Sequence, residues 1–444
     1  MRKNLVVGIL RPAGEGESRA PLVPSDVNWL VERGVSVEVE SSPERAFSDR
    51  EYRSSGARVL DKFRKAAFLV GVKAPRVDEL YEDRIYMVFP HVCKEQSPAM
   101  PFLRACLEKK ITLIDHEKIC DPCGRRLVYF GRFAGICGMV DSLHYLGRKL
   151  EWKGIKNPFS SIRPAREYGS LKAVKEAVEG VGRKVKRRGF EKKLCPFIIG
   201  ITGHGNVSGG VQELLGSLDP VEISPRDIPR FIRHRKWMQN RVYKIVFLRE
   251  EKFRSRSGRS FYSEEYLKYP GRFESNMDAY LPYLNVLVHG SYWDSRYPRM
   301  VTRKMVRNLA GKRPFRLEFI ADVSCDVNGA VELTYRTTTP DDPTFTYLPG
   351  VNTFVDGYKA EGVTVLSVDN LPAELPRDSS REFSGLIRDY VYQIASHGVK
   401  DITRHAAVPA EIRRAVIAQD GKLAADFRYL GKYIRQKVPV VSHE

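Results

Sequence analysis

Short apolar runs recur along this chain and alternate with stretches whose apolar positions fall at helical spacing. Leu5 to Leu10, Val35 to Val39, Phe68 to Val72, Ile85 to Phe89 and Ile111 to Ile114 each predict a strand. Between the first two, Pro24-Ser25-Asp26 predicts the N-cap of a helix that runs to Arg33 and is closed by Gly34. Helices between strands imply right-handed crossovers and a mainly parallel sheet. Phe133 to Leu150, apolar and glycine-containing, predicts a long connecting helix, and another helix is expected near Ser170 to Gly180. A second series of strands follows at Phe197 to Ile201, Val221 to Ser224, Lys244 to Leu248, Val286 to His289, Phe319 to Val323 and Val363 to Val368. Ser380 to Ile394 and Pro409 to Ile417 are expected to be helices that pack back onto the first domain. The fold class is therefore α/β with two parallel-sheet domains. We place one at residues 1–131 plus 371–444 and the other at residues 132–370.

Composition adds a few exclusions. At 444 residues the chain exceeds one compact core. No apolar run approaches the roughly 18 residues of a membrane span. The N-terminus leads straight into a strand-like run rather than a signal peptide, so we read the chain as cytoplasmic. Seven scattered cysteines are expected to be free thiols. Cys120-Asp121-Pro122-Cys123 supplies only half a zinc site, so no metal is expected. The net charge of +20 is spread along the chain without a nucleic-acid-reading module, which favours a solvated basic face over a nucleic-acid partner.

The stretch Phe197-Ile-Ile-Gly-Ile-Thr-Gly-His-Gly-Asn-Val-Ser-Gly-Gly210 carries the first chemistry. An apolar strand meets Gly203, which permits a tight turn, and Gly205, which lets a pyrophosphate approach the backbone. A helix N-terminus beyond them offers free N–H groups. Ser208 stands where the third glycine of a dinucleotide fingerprint belongs, and a small serine can serve close helix packing there. Glu222 lies about 20 residues on, where an acid ending the next strand would bond the ribose hydroxyls. Arg226, Arg230, Arg233 and Arg235 follow and are alternative partners for a 2′-phosphate, so NAD(H) and NADP(H) stay open. A purely structural turn is the plain alternative.

In the first domain Lys73 ends the strand Phe68 to Val72, and His91 follows the strand Ile85 to Phe89. Polar groups at the carboxyl ends of parallel strands face the ligand crevice, and a lysine with a histidine makes a workable proton-transfer pair. Arg19 follows the first strand; Glu117, Arg125 and Arg126 follow Ile111 to Ile114. Guanidinium forks suit a substrate with several carboxylates. Solvated strand-end charges and surface salt bridges are the alternatives.

The order of motifs then carries a resemblance. Leu10-Arg-Pro-Ala-Gly-Glu-Gly-Glu-Ser-Arg-Ala-Pro21, Gly71-Val-Lys-Ala-Pro75, Phe89-Pro-His-Val-Cys93, the glycine loop, and Ser367-Val-Asp-Asn-Leu-Pro-Ala-Glu-Leu-Pro376 occur in sequence. So assembled, the chain resembles the lysine–2-oxoglutarate reductase half of the bifunctional α-aminoadipate semialdehyde synthases. These lie in the wider group of alanine dehydrogenase, transhydrogenase and lysine-forming saccharopine dehydrogenase. The resemblance implies two Rossmann-like domains with a cleft between them, the first completed by the C-terminal segment. It implies condensation of the lysine ε-amine with 2-oxoglutarate and reduction to saccharopine by NADPH or NADH. Lys73 and His91 match the acid–base pair; Arg19, Glu117 and Arg126, with Arg125 beside it, match substrate-binding positions. Gly203, Gly205, Asn206, Val207 and Ser208 match the cofactor loop, and Asp369 matches a residue beside the nicotinamide. The saccharopine dehydrogenase (glutamate-forming) half has no counterpart here, so a separate protein would act downstream, and a homo-oligomer is left open. His204 inside the loop departs from the pattern. Other dehydrogenases of the group, or a catalytically silent dinucleotide-binding module, remain as alternatives.

Overall fold

A computed structural model describes residues 4–94, 99–312, 314–398 and 401–434. The chain divides into two compact units, Met1–Phe130 with Pro376–Glu444, and Gly131–Leu375.

In the first unit, β1 (Val7–Ile9), β2 (Val37–Glu40), β3 (Arg58–Leu60), β4 (Phe68–Lys73), β5 (Ile85–Phe89) and β6 (Thr112–Asp115) form a parallel sheet in the order β3-β2-β1-β4-β5-β6. Val7, Ile9, Phe68, Val70 and Met87 are fully buried in it. Such near-continuous apolar strands are what a sheet covered on both faces demands. The helix after β1 spans Pro24–Glu32, two residues earlier than the capping signal suggested; Val23 is its N-cap, and Pro24 sits in its first turn, where a missing N–H costs nothing. The helix Pro376–His397 returns to this unit, where Ser380 and Ser384 hydroxyls accept from the backbone N–H of Ala20 and Val23 at 2.9 and 3.0 Å.

One expectation is corrected here. Pro409 to Ile417 is not one helix: a single short turn, Ala410–Arg414, gives way to the strand Val416–Gln419, antiparallel to β6. The apolar run Val416-Ile417-Ala418 is buried against the sheet edge, and that burial outweighs the helical spacing.

In the second unit, the parallel strands are β7 (Phe197–Thr202), β8 (Val221–Glu222) and β9 (Val242–Phe247). A small hairpin of β10 (Phe253–Ser255) and β11 (Phe273–Ser275) precedes β12 (Val286–His289) and β13 (Phe319–Asp322). An antiparallel pair, β14 (Thr344–Leu348) and β15 (Thr353–Asp356), then leads to β16 (Val363–Leu366). The order is β15-β14-β16-β13-β12-β7-β9-β8. The long helix Gly131–Trp152 packs on one face of this sheet with the helix Leu171–Arg188, which Ser170 caps through the Ala173 N–H.

β8 is only two residues long and pairs with β9, not with β7. β9 instead takes the place beside β7, in register from Phe197–Val242 to Thr202–Phe247. Among the described residues no helix is long and apolar enough to cross a membrane.

Candidate active-site residues

At the carboxyl edge of the first sheet, two buried glutamates gather the cations. Glu17 binds Arg19 through two bonds, Nε to Oε1 at 2.8 Å and Nη2 to Oε2 at 2.6 Å, and its Oε2 lies 3.7 Å from Lys73 Nζ. Burial opposes ionisation of Glu17, but Arg19 and Lys73 overcome it and hold the carboxyl below the usual range. Glu117 Oε1 lies 3.7 Å from His91 Nδ1 and 3.4 Å from Arg126 Nη1. The structure thus brings Arg19 together with Lys73, and His91 together with Glu117 and Arg126. Arg125 is elsewhere: it is exposed and its Nε binds Asp121 Oδ2 at 2.6 Å, closing the Asp121–Arg125 turn. Glu17, the partner of both Arg19 and Lys73, was not singled out from the sequence, although its place two residues before Arg19 was the signal.

Local backbone aims these side chains. Between Val70↔Met87 and Lys73↔Phe89, β4 uses one residue more than β5, a bulge that turns Lys73 out of the ladder. His116 Nε2 donates to the Gly71 carbonyl at 3.0 Å and so pins that bulge. His116 is fully buried, and burial lowers its pKa to about 4, so it stays neutral and can donate there. His91 has φ +54°, a left-handed conformation that points its ring back along β5, 6.2 Å from Phe89 in a stacked pair. Asp115 accepts the Glu117 N–H at 2.8 Å, fixing the short turn that presents Glu117. Beneath them Phe130 stacks on Phe383 at 4.3 Å, and the Arg19 guanidinium lies 4.2 Å above the Phe130 ring.

In the second unit, Thr202 ends β7 and Gly203 turns at φ +85°; a side chain there would also meet Ser291 Oγ at 2.7 Å. Gly205 opens onto free space and is the N-cap of the helix Asn206–Gly216 without any side-chain cap, leaving that end to a ligand. These features fit a dinucleotide pyrophosphate. Asn206 is exposed at the helix start and Val207 is half-buried. Ser208 is buried, with its Oγ accepting from Gln212 Nε2 at 3.2 Å. The close helix packing usually served by a third glycine falls on Gly210 and Gly135. A Cβ on Gly210 would sit 2.0 Å from the Arg132 carbonyl, and one on Gly135 2.0 Å from the Val207 carbonyl. His204 is exposed at the loop tip, and Asp369 is exposed just beyond β16.

Glu222 is not brought to the loop. Through Lys244 it is level with Ile199, three residues short of the end of β7, and on the strand beyond β9. Its carboxylate pairs with Lys244 Nζ at 2.8 Å. Residue counting misses this because the chain makes the edge strand β8 first and returns to lay β9 beside β7. The residues that do follow the strand next to β7 are Leu248 and Arg249.

Two dehydrogenase-type domains, each with a glycine- or ion-pair-decorated carboxyl edge, define the class. The alanine dehydrogenase/PNT N-terminal domain matches residues 8–137, the alanine dehydrogenase/PNT C-terminal domain matches residues 260–426, and the chain belongs to this family. Among curated relatives it is similar to α-aminoadipic semialdehyde synthase of Arabidopsis thaliana, 31% identical over 96% of this chain and 41% of that protein. A saccharopine dehydrogenase [NAD(+), L-lysine-forming] of Emericella nidulans is 25% identical over 85% of this chain and 89% of its own length. The chain spans less than half the length of the α-aminoadipic semialdehyde synthases it matches. Its fold is that of a solved L-alanine dehydrogenase, with a TM-score of 0.61 at 18% identity over 97% of this chain and all of that one.

Proposed function

We propose that this protein catalyses the NAD(P)H-dependent condensation of L-lysine with 2-oxoglutarate to saccharopine, or the reverse. In this reading residues 1–131 with 371–444 handle the substrates and residues 132–370 hold the dinucleotide. The observation that carries it is the pair of glutamate-braced cation sets, Arg19 and Lys73 on Glu17, His91 and Arg126 on Glu117, at one sheet edge. The names of the relatives supply the substrates; this edge supplies the chemistry they need. The bound dinucleotide delivers a hydride to the imine carbon. Everything else falls to the chain's own side chains.

Condensation requires the lysine ε-amine to lose a proton, attack the ketone carbon and then expel water from the carbinolamine. Lys73 and His91 are the two groups at this edge that can take and return protons near neutral pH. One accepts the proton of the attacking amine, and the other donates to the departing hydroxyl. Arg126, half-exposed, faces the dicarboxylic substrate, and the Arg19–Glu17 pair fixes the wall beside Lys73. Each turnover consumes one NAD(P)H and one proton and releases one water.

The test follows nicotinamide absorbance with lysine plus 2-oxoglutarate and either NADPH or NADH, together with Lys73→Met. Saccharopine formation that falls by roughly 10²-fold or more in the variant is expected for loss of a proton-transfer group. A folded chain that binds the dinucleotide but forms no saccharopine would refute the reading.

A further inference from the structure

Beyond the end of β9 the chain lines a cavity of about 310 Å³ that also takes in Gly203 and Gly205 and the residues after β12. We propose that this cavity binds the 2′-phosphate of a phosphorylated dinucleotide, and that Arg249 and Lys252 select NADP(H) over NAD(H). The proposal rests on the dinucleotide reading of the glycine loop and goes further by naming the residues that choose between the two cofactors.

Position comes first. In dinucleotide-binding sheets the strand beside the loop strand ends in an acid when the ribose 2′-hydroxyl is bound, and an arginine nearby accommodates a 2′-phosphate. Here that strand is β9, and it is followed by Leu248 and Arg249. The neighbouring acid Glu251 is turned back, its Oε2 accepting the Leu248 N–H at 2.7 Å. Glu222 is paired with Lys244, and Arg226, Arg230, Arg233 and Arg235 do not line the cavity.

Burial and satisfaction come second. Lys252 is only 7% exposed, yet among the described residues no carboxylate oxygen lies within 4.0 Å of its ammonium. Its side-chain partner is Ser291 Oγ at 3.0 Å, and Ser291 in turn reaches Thr202 Oγ1 at 3.4 Å. Thr202 bonds His289 Nδ1 at 2.8 Å. His289 is 1% exposed, lines the same cavity, and its Nε2 has no hydrogen-bond partner. A buried cation without a counter-charge is expensive, and a buried ring nitrogen without a partner adds to the cost. A phosphate monoester, dianionic and rich in acceptor oxygens, answers both. Burial, with the nearby Arg249 charge, lowers the Lys252 pKa to about 8, a destabilisation that a bound anion would reverse. At the mouth, Tyr292 is 81% exposed beside Trp293, an aromatic surface on which an adenine ring can stack.

The test is equilibrium binding, not turnover. NADPH and NADH, and the fragments 2′,5′-ADP and 5′-AMP, are titrated against the full chain and against Arg249→Ala, with circular dichroism confirming the fold. Arg249 lies at the cavity edge, so the variant is expected to fold. We expect NADPH to bind ~100-fold more tightly than NADH, and R249A to remove at least ~10-fold of that preference, the size of a charge-assisted hydrogen bond. NADH affinity should change by no more than about 2-fold, because it places no phosphate there. Equal affinities in the unmodified chain, or equal losses for both dinucleotides in the variant, would overturn the proposal. NADPH selectivity without saccharopine formation would refute the reductase reading alone. Saccharopine formation with a preference for NADH would refute this assignment alone.

Discussion

The carboxylate of Glu17 grips the Arg19 guanidinium in a buried two-bond pair, with Nη2 at 2.6 Å from Oε2 and Nε at 2.8 Å from Oε1. The same Oε2 faces Lys73 at 3.7 Å, so one carboxylate sets the position of two cations. Glu17→Gln keeps the shape but removes the charge. We expect stability to fall by roughly 3–5 kcal/mol, as for a buried ion pair broken on one side. We also expect kcat/KM for saccharopine formation to fall ~10- to 100-fold by misplacement of Lys73. Urea unfolding and steady-state kinetics measure the two effects; an unchanged kcat/KM would detach Glu17 from the reaction.

His116 acts on Lys73 through the backbone. It touches Gly71, not the reacting groups, so it is a positioning residue. His116→Phe fills the aromatic floor against Phe89 and Phe383 but cannot donate to Gly71. The expected result is a kcat lowered ~10-fold or more with little change in KM, since misalignment near the proton-transfer step is costly. His116→Gln, which retains an N–H donor, should restore part of the loss. A change confined to KM would contradict this role.

Asp115 makes stability depend on pH. Burial, reinforced by the Glu117 charge, raises its pKa from 3.8 to about 7, and its second oxygen has no partner. The folded chain therefore holds more protons than the unfolded chain between about pH 4 and 7, and this group's contribution to stability falls as pH rises through that window. Asp115→Asn keeps the acceptor for the Glu117 N–H and removes the titration. Relative to the unmodified chain, the variant should gain on the order of 2–4 kcal/mol between pH 4 and 7 and stay level above. Urea unfolding at several pH values would show it; a constant difference would place the titration elsewhere.

Close packing of the helix Gly131–Trp152 on Asn206–Gly216 predicts a contrast between two glycines. Gly135→Ala sets a methyl 2.0 Å from the Val207 carbonyl, where backbone must yield. A loss of about 1–3 kcal/mol is expected, with weaker dinucleotide binding because the shifted helix begins the phosphate loop. Gly180→Ala, in the middle of the helix Leu171–Arg188, meets only the flexible Arg183 end at 3.7 Å and should stabilise by roughly 0.5–1 kcal/mol. Thermal unfolding of both decides the point.

Much of the architecture was legible because strand burial is written locally. The runs Phe68 to Val72 and Phe197 to Ile201 are apolar on both faces, as a covered parallel sheet requires, and both are strands. The carboxyl-edge positions of Lys73 and His91 followed from the same runs. The end of the chain was misread because Val416-Ile417-Ala418 suits a helix or a strand equally until the open edge of β6 is present to receive it. Ser208 was credited with a packing task that falls on Gly210 and Gly135, a contact made with a helix some 75 residues away in sequence.

By itself the sequence determined the element types, the glycine loop and which polar residues end which strands, since each depends on neighbours a few positions apart. Only the tertiary structure decided which charges meet. Glu17 joins Arg19 to Lys73, Glu222 is withdrawn to Lys244, and Arg249 takes the place beside the loop because β9, not β8, pairs with β7. Strand order is set by which buried faces fit together over the whole sheet, and pairwise electrostatics acts over only a few ångströms. Spacing along the chain carries neither quantity.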